Sequence, residues 1–227
     1  TRFCYARLDG MVDIGPCMRR LLDSYRHRAA RATLVPWALA EPDAPLDPDP
    51  ETRKELFGDA KLALLYSGTI GKAHEFECFI ALARELRSRN ASVALCFAGR
   101  GNRYDELRAM VGKDDTNVSF AGFADESQLE KRLGSGDIHM LSLRPGWEGV
   151  VVPSKFFGSL AAGKPLLYEG STSSAIKTWI DQYQVGYAID KQNVCQIADE
   201  LCRLADNPAL LVEKQRNAFK CYQKNFS

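Results

Sequence analysis

Histidine is scarce in this chain, with His27, His74 and His139 the three present among 227 residues. No two of them stand at a metal-ligand spacing, which predicts no metal site. Cysteine occurs seven times (Cys4, Cys17, Cys78, Cys96, Cys195, Cys202, Cys221) but never as a C-x-x-C pair, so neither a zinc knuckle nor a redox couple is encoded. Cys78, Cys96 and Cys195 sit within apolar patterns, as expected of buried thiols in a reducing compartment. An excess of one charge is missing too, since 30 Lys+Arg face 29 Asp+Glu for a formal net charge of +1. That balance gives no drive toward nucleic acid, so no such partner is expected and any basic function has to be local. No apolar run nears the ~20 residues of a membrane-spanning helix. No signal peptide is visible, which predicts a cytoplasmic location. The chain begins at Thr1 rather than Met, the expectation for a processed or truncated product.

What the chain does have is ordinary globular chemistry, 45% apolar and 26% charged, enough for one well-cored domain and part of another. Residues 1–40 read as a strand, helix and strand over 11–14, 16–25 and 32–39, with Met18, Leu21 and Leu22 on one helix face. Pro36, Pro42, Pro45, Pro48 and Pro50 then alternate with acidic residues, which predicts an extended linker. Asp47 and Asp49 form a D-x-D pair there, but a linker does not hold two carboxylates rigidly enough for a metal-bound diphosphate. From Leu62 strands and helices alternate: strands over 62–66, 93–98, 118–121, 138–143, 165–168 and 185–189, with helical spacing between and after them. Such alternation predicts an α/β fold with a doubly wound, Rossmann-like parallel sheet. A terminal helix is expected over 208–222.

Two stretches carry chemistry. The first, YSGTIGKAHEF over residues 66–76, follows the first strand: Gly68 and Gly71 let backbone approach an anion, and Lys72 supplies charge. It is not a Walker A loop, because two residues separate the glycines and Ala73 stands where a magnesium-binding hydroxyl belongs. The second, RPGWEGVVVPSKFFGSLAAGKP over residues 144–165, combines Glu148, a Pro-Ser-Lys helix start at 153–155 and a left-handed stop at Gly163. Free amides over 152–155, the helix dipole and Lys155 would make a phosphate seat. On helix chemistry alone, a plain strand-turn-helix connection with a surface lysine reads equally well. Gly99-Arg100-Gly101 also follows a strand, yet Tyr104 occupies the third glycine position of a dinucleotide fingerprint and no carboxylate ends the next strand, which argues against NAD.

Together these motifs resemble the donor-binding half of a GT-B glycosyltransferase. They are closest to the bacterial group, usually classed as family 4, that builds surface polysaccharides. The resemblance covers roughly residues 62–227, with weaker similarity upstream. It implies the C-terminal half of a GT-B fold over 61–227, preceded over 1–60 by a remnant of the N-terminal, acceptor-binding domain and the interdomain linker. It implies retaining transfer of a sugar from a UDP-sugar or GDP-sugar, with no cofactor, to a glycan or lipid-linked acceptor in polysaccharide biosynthesis. By the same resemblance Gly68, Thr69, Gly71 and Lys72 contact the donor diphosphate, and Arg100 and Phe123 line the nucleobase pocket. Lys155 with Ser154 shares the diphosphate, and Glu148 with Gly149 and Val150 lies near the donor sugar. Glu148 stands two positions upstream of the family's first glutamate, and Gly158 occupies the place of the second. His74 reads either as a donor contact or as a capping histidine; His139 reads as core.

Further implied partners are the missing N-terminal lobe and, for a lipid-linked acceptor, peripheral contact with the inner face of the membrane. The basic run 19–31 reads either as part of that contact or as a solvated helix face. Without the first lobe, Leu211, Phe219 and Tyr222 are expected to be exposed and turnover slow. Other readings are a non-catalytic nucleotide-binding module and a sugar-nucleotide epimerase of the same fold.

Overall fold

A computed structural model describes every residue except Thr1, Arg26 and Leu39. Leu39, the end of the expected second strand, and Arg26 of the basic run therefore lie outside the described residues. In chain order the elements are α1 (Arg2–Tyr5), β1 (Gly10–Asp13), α2 (Pro16–Asp23), β2 (Ala30–Thr33), α3 (Pro50–Phe57), β3 (Leu62–Thr69), α4 (Glu77–Ser88), β4 (Val93–Arg100) and α5 (Tyr104–Met110). They continue as β5 (Val118–Ala121), α6 (Glu126–Ser135), β6 (Ile138–Leu143), α7 (Lys155–Ala161), β7 (Leu166–Gly170), α8 (Ala175–Tyr183), β8 (Gly186–Ile189), α9 (Val194–Asp206) and α10 (Pro208–Asn225).

β1 and β2 pair in parallel as a small separate sheet, while six parallel strands form the main one in the order β5-β4-β3-β6-β7-β8. The chain winds outward from β3 to β5, then returns to the middle and winds the other way from β6 to β8. The reversal leaves a crevice between the carboxyl ends of β3 and β6, where ligands of doubly wound sheets bind.

The continuous apolar run of β3 follows from burial on both faces. Successive side chains point to opposite sides: Leu62, Leu64 and Tyr66 join the core under α4 and α9, while Ala63 and Leu65 pack against Leu56 and Phe57 of α3. The sequence reading placed residues 50–57 in the linker, because their apolar positions are few. Their helix is set instead by Asp49, whose carboxylate accepts from the Thr52 amide at 3.0 Å, and by Pro50 in the first turn. Asp49 of the D-x-D pair is thus occupied as a helix cap.

At the far end of α6, Lys164 Nζ donates to the Gly134 carbonyl at 2.9 Å and Arg53 to that of Ser135 at 3.0 Å. Asp137 accepts from Arg53 and from the Ala63 amide, both at 2.8 Å, fastening α3 to the sheet. His139 is buried in β6, donating Nε2–H to the Leu133 carbonyl at 2.9 Å and accepting from the Ser159 hydroxyl at 2.8 Å.

Two expectations are corrected here. Leu211, Phe219 and Tyr222 are buried, at 9%, 9% and 2% exposure, because α10 packs on α7 and α9. The Tyr222 hydroxyl also accepts from the Ala38 amide at 3.0 Å and donates to Glu41 at 2.5 Å, tying the helix to the linker. Cys195 is exposed rather than buried, since it lies off the apolar stripe of α9. No helix among the described residues is long and apolar enough to cross a membrane.

Candidate functional site

The crevice between β3 and β6 is organised by Lys155 and Tyr66. Lys155 opens α7, reached from β6, and extends across the end of β3. Its Nζ donates to the Tyr66 hydroxyl at 3.2 Å and to the Thr69 carbonyl at 3.3 Å, and it lies 4.6 Å from the centre of the Tyr66 ring. Tyr66 in turn donates to the same Thr69 carbonyl at 2.8 Å. Burial lowers the Lys155 ammonium from 10.5 to about 8 and pushes the Tyr66 phenol upward. Among the described residues no acidic group offsets the lysine's burial. The site therefore holds a partly desolvated cation with neutral partners only, a state that an anion would relieve.

The glycine loop wraps this cation. Gly68 has φ +126°, and a Cβ placed on it would stand 2.8 Å from Lys155 Cε. Gly71 and Lys72 follow in the same loop, Lys72 exposed. His74 closes the loop and is buried; its Nδ1 donates to the Ser142 carbonyl at 2.8 Å, leaving Nε2 as the acceptor. Burial first, and then the neighbouring Lys155 charge, bring His74 down to about 4, so its ring is neutral near pH 7. Arg103, the residue before α5, donates to the His74 carbonyl and pairs with Glu106, which fixes the loop from outside.

The G-x-G at 99–101 serves packing. A Cβ at Gly99 would fall 1.9 Å from the Gly68 carbonyl oxygen, and one at Gly101 would fall 2.1 Å from that of Ile70. The Ile70 amide donates to the Arg100 carbonyl at 2.9 Å and the Arg103 amide to that of Ile70 at 3.1 Å. Beyond this contact the Arg100 guanidinium stacks over the Phe123 ring at 4.4 Å, with Phe123 54% exposed. A planar cation on an accessible aromatic face suits a flat heteroaromatic base.

Glu148 is held in a separate turn. Its Oε2 accepts from the Gly146 amide at 2.7 Å. Burial acts to raise its pKa, but hydrogen bonds from Ser171 and from backbone amides outweigh it, so the carboxylate titrates below its usual range. Glu148 and buried Gly149 line a small cleft with Cys17, Pro153 and Ser174, and Val150 beside them is 55% exposed. No hydrogen bond or ion pair joins Glu148 to Lys155 or Lys72 among the described residues. Ser154 precedes α7 without a side-chain cap, and the helix begins at Lys155 rather than Pro153, because residues 153–156 form a tight turn closed by the Phe156 amide on the Pro153 carbonyl at 3.1 Å.

The structure thus brings Gly68, Thr69 and His74 together with Lys155 at the end of β3, leaves Lys72 exposed on the loop that follows, pairs Arg100 with Phe123 and keeps Glu148 in its own turn. The sequence reading took Tyr66 for the last residue of an apolar strand; its position immediately before the glycine loop is the signal that was there. Glu169 was also passed over, because one acid in the run LLYEG resembles a strand end.

Six parallel strands in doubly wound order, with these loops at the reversal point, make this the fold of the C-terminal half of GT-B glycosyltransferases. Residues 61–207 match the family described as Glycosyl transferases group 1, and the chain belongs to that family. It is 24% identical over 214 residues to the probable glycosyltransferase WbjE of Pseudomonas aeruginosa, an alignment covering 89% of this chain and 52% of WbjE. The chain therefore spans about half the length of that relative. Among solved structures it resembles WaaG, a glycosyltransferase involved in lipopolysaccharide biosynthesis, at 15% identity and TM-score 0.70, covering 93% of this chain and 58% of WaaG. It also resembles Anabaena HepE in complex with UDP-glucose, at 10% identity and TM-score 0.70, covering 96% of this chain and 60% of HepE. At these identities the structural likeness shows the fold alone.

Proposed function

We propose that this chain is the donor-binding half of a retaining glycosyltransferase of the family 4 type. In this reading it takes a UDP-sugar or GDP-sugar and passes the sugar to a glycan or lipid-linked acceptor in polysaccharide assembly. The observation that carries the reading is Lys155, a cation drawn out of water at the strand reversal with no acid to balance it. A diphosphate supplies the missing negative charge. As the bond between sugar C1 and the diphosphate oxygen breaks, charge grows on the departing phosphate, and the ammonium opposes that growth without a metal. Lys72 on the same loop adds a second charge from the solvent side, and the Arg100–Phe123 pair stacks on the base. Glu148, ionised at neutral pH, accepts from hydroxyls of the donor sugar.

Residues 1–60 are then the end of the acceptor domain and its linker, and transfer requires the rest of that lobe. The HepE–UDP-glucose complex supports the choice of a nucleoside-diphosphate sugar, and a lipid-linked acceptor would bring the chain into peripheral contact with the inner membrane face. Calorimetry of the chain against a panel of UDP and GDP sugars tests the binding step. One member is expected to bind, and Lys155→Met is expected to weaken it by about 10- to 100-fold, the loss of a charge-assisted contact to phosphate. No heat with any nucleotide sugar defeats the proposal. Sugar transfer by the chain joined to its first lobe tests the second step.

A further inference from the structure

We propose that Glu75, Glu77 and Glu169 form a binding site for a hard divalent cation that fastens the glycine loop to the sheet. One carboxylate oxygen from each of the three lies within 4.8 Å of the other two. Two calcium–oxygen bonds of about 2.4 Å span such a separation. The acids are distant in sequence and meet because of the topology. Glu169 lies on β7 in register with Ser142 of β6, and the Ser142 hydroxyl accepts from the Glu75 amide at 3.3 Å. Glu77 is the first residue of α4, which starts directly over that strand pair.

A second observation, independent of the clustering, points to a ligand. Glu169 is 4% exposed, and while its Oε1 accepts from the Cys78 amide at 2.9 Å, its Oε2 finds no hydrogen-bond partner among the described residues. A buried carboxylate oxygen without a donor is costly unless a proton or a cation meets it, and two further carboxylates within 4.8 Å favour the cation. The cations nearby do not fill that role: Arg144 pairs with Glu75 at 3.2 Å and Lys191 with Glu77 at 3.8 Å, and neither makes an ion pair with Glu169. They reduce the charge at the rim and leave the inner oxygen unanswered. A donor set of carboxylate oxygens alone selects calcium, magnesium or manganese over zinc or copper. The bound ion joins residues 75 and 77 to β7 next to His74, whose ring already leans on Ser142. It stiffens the loop carrying Lys72 and takes no part in the bond exchange, so the inference stands apart from the transferase reading.

Calorimetric titration of the EDTA-treated, dialysed chain with calcium chloride tests it. We expect one ion per chain with a Kd below about 1 mM, together with a higher melting temperature. Glu169→Gln is expected to abolish binding. Glu77→Gln, at a position 54% exposed that leaves folding intact, is expected to weaken it by about 10-fold or more. Glu130→Gln, on the exposed face of α6, is expected to leave it unchanged. Absence of heat and of any melting shift up to about 10 mM calcium overturns the inference, as does a Glu77→Gln chain that binds as tightly as the unaltered one. No nucleotide enters either readout, so failure here leaves the donor site standing.

Discussion

Lys155 crosses Gly68 so closely that a single added carbon would collide with it: a Cβ at Gly68 would stand 2.8 Å from Lys155 Cε and 3.4 Å from Nζ. Glycine is thus required at the end of β3 for two reasons, the φ of +126° and the passage of the lysine. The proposed diphosphate seat depends on a void that only this residue leaves.

Gly68→Ala is therefore expected to keep the fold and displace the lysine, because the atom it strikes is the mobile end of a long side chain. Affinity for the bound nucleotide sugar should fall by about 10-fold, and the backbone strain should remove about 1–2 kcal/mol of stability. Calorimetry and denaturant unfolding on the same sample check both numbers. Unchanged affinity would separate Gly68 from the site.

The depressed pKa of Lys155 sets a pH dependence with two opposite signs. Between about 8 and its usual 10.5 the folded protein holds fewer protons on this group than the unfolded chain, so the ligand-free stability attributable to it rises with pH across that window. Affinity for a diphosphate should fall across the same window, since the ammonium that binds it is lost. A pH series of nucleotide-sugar titrations is expected to show weakening above pH 8, and Lys155→Met to flatten it. A constant affinity from pH 7 to 9 would sink the role given to this amine.

Most of the scaffold was legible from residues 62 onward because strands buried on both faces are written as apolar runs, and Leu62 to Tyr66 is one. The glycine loop and the Pro-Ser-Lys turn were legible for a similar reason: each imposes local backbone demands that few residues meet. α3 was not, because its stability comes from the Asp49 cap and from Leu56 and Phe57 docking on a sheet that forms later in the chain. The same limit hid Glu169. Whether an acid in a strand is solvated or sealed depends on partners that only the fold brings, here the Cys78 amide and the two glutamates of the α4 start. The burial of α10 was misjudged because its apolar face was assigned to a first lobe, whereas α7 and the linker residues Ala38 and Glu41 cover it.

Tyr222 is expected to matter through its hydroxyl as well as its ring. Tyr222→Phe keeps the packing against α7 but leaves the Ala38 amide without its acceptor and Glu41 without its donor. A loss of about 1–2 kcal/mol is expected in denaturant unfolding. Proteolysis near residues 38–41 should also become faster, because the linker is no longer pinned to the C-terminal helix. A variant as stable and as protease-resistant as the parent would show that the ring alone holds this contact.

His139 supplies the acid limit of stability. Burial first, then the nearby Lys164 charge, lower its pKa from 6.5 to about 3, so the folded protein keeps the ring neutral while the unfolded chain takes up a proton below pH 6.5. The unfolded state binds more protons in that interval, so stability falls as pH drops from 6.5 toward 3. Over the step from pH 7 to pH 5 this one group accounts for about 2 kcal/mol. His139→Gln removes the titration, and its amide can still donate to Leu133 or accept from Ser159. Urea unfolding of both chains at pH 7 and pH 5 should therefore show the variant losing about 2 kcal/mol less than the parent over that step, even though it starts from a lower stability at pH 7. Equal losses in the two chains would mean that the ring accepts a proton in place, against its burial and the Lys164 ammonium nearby.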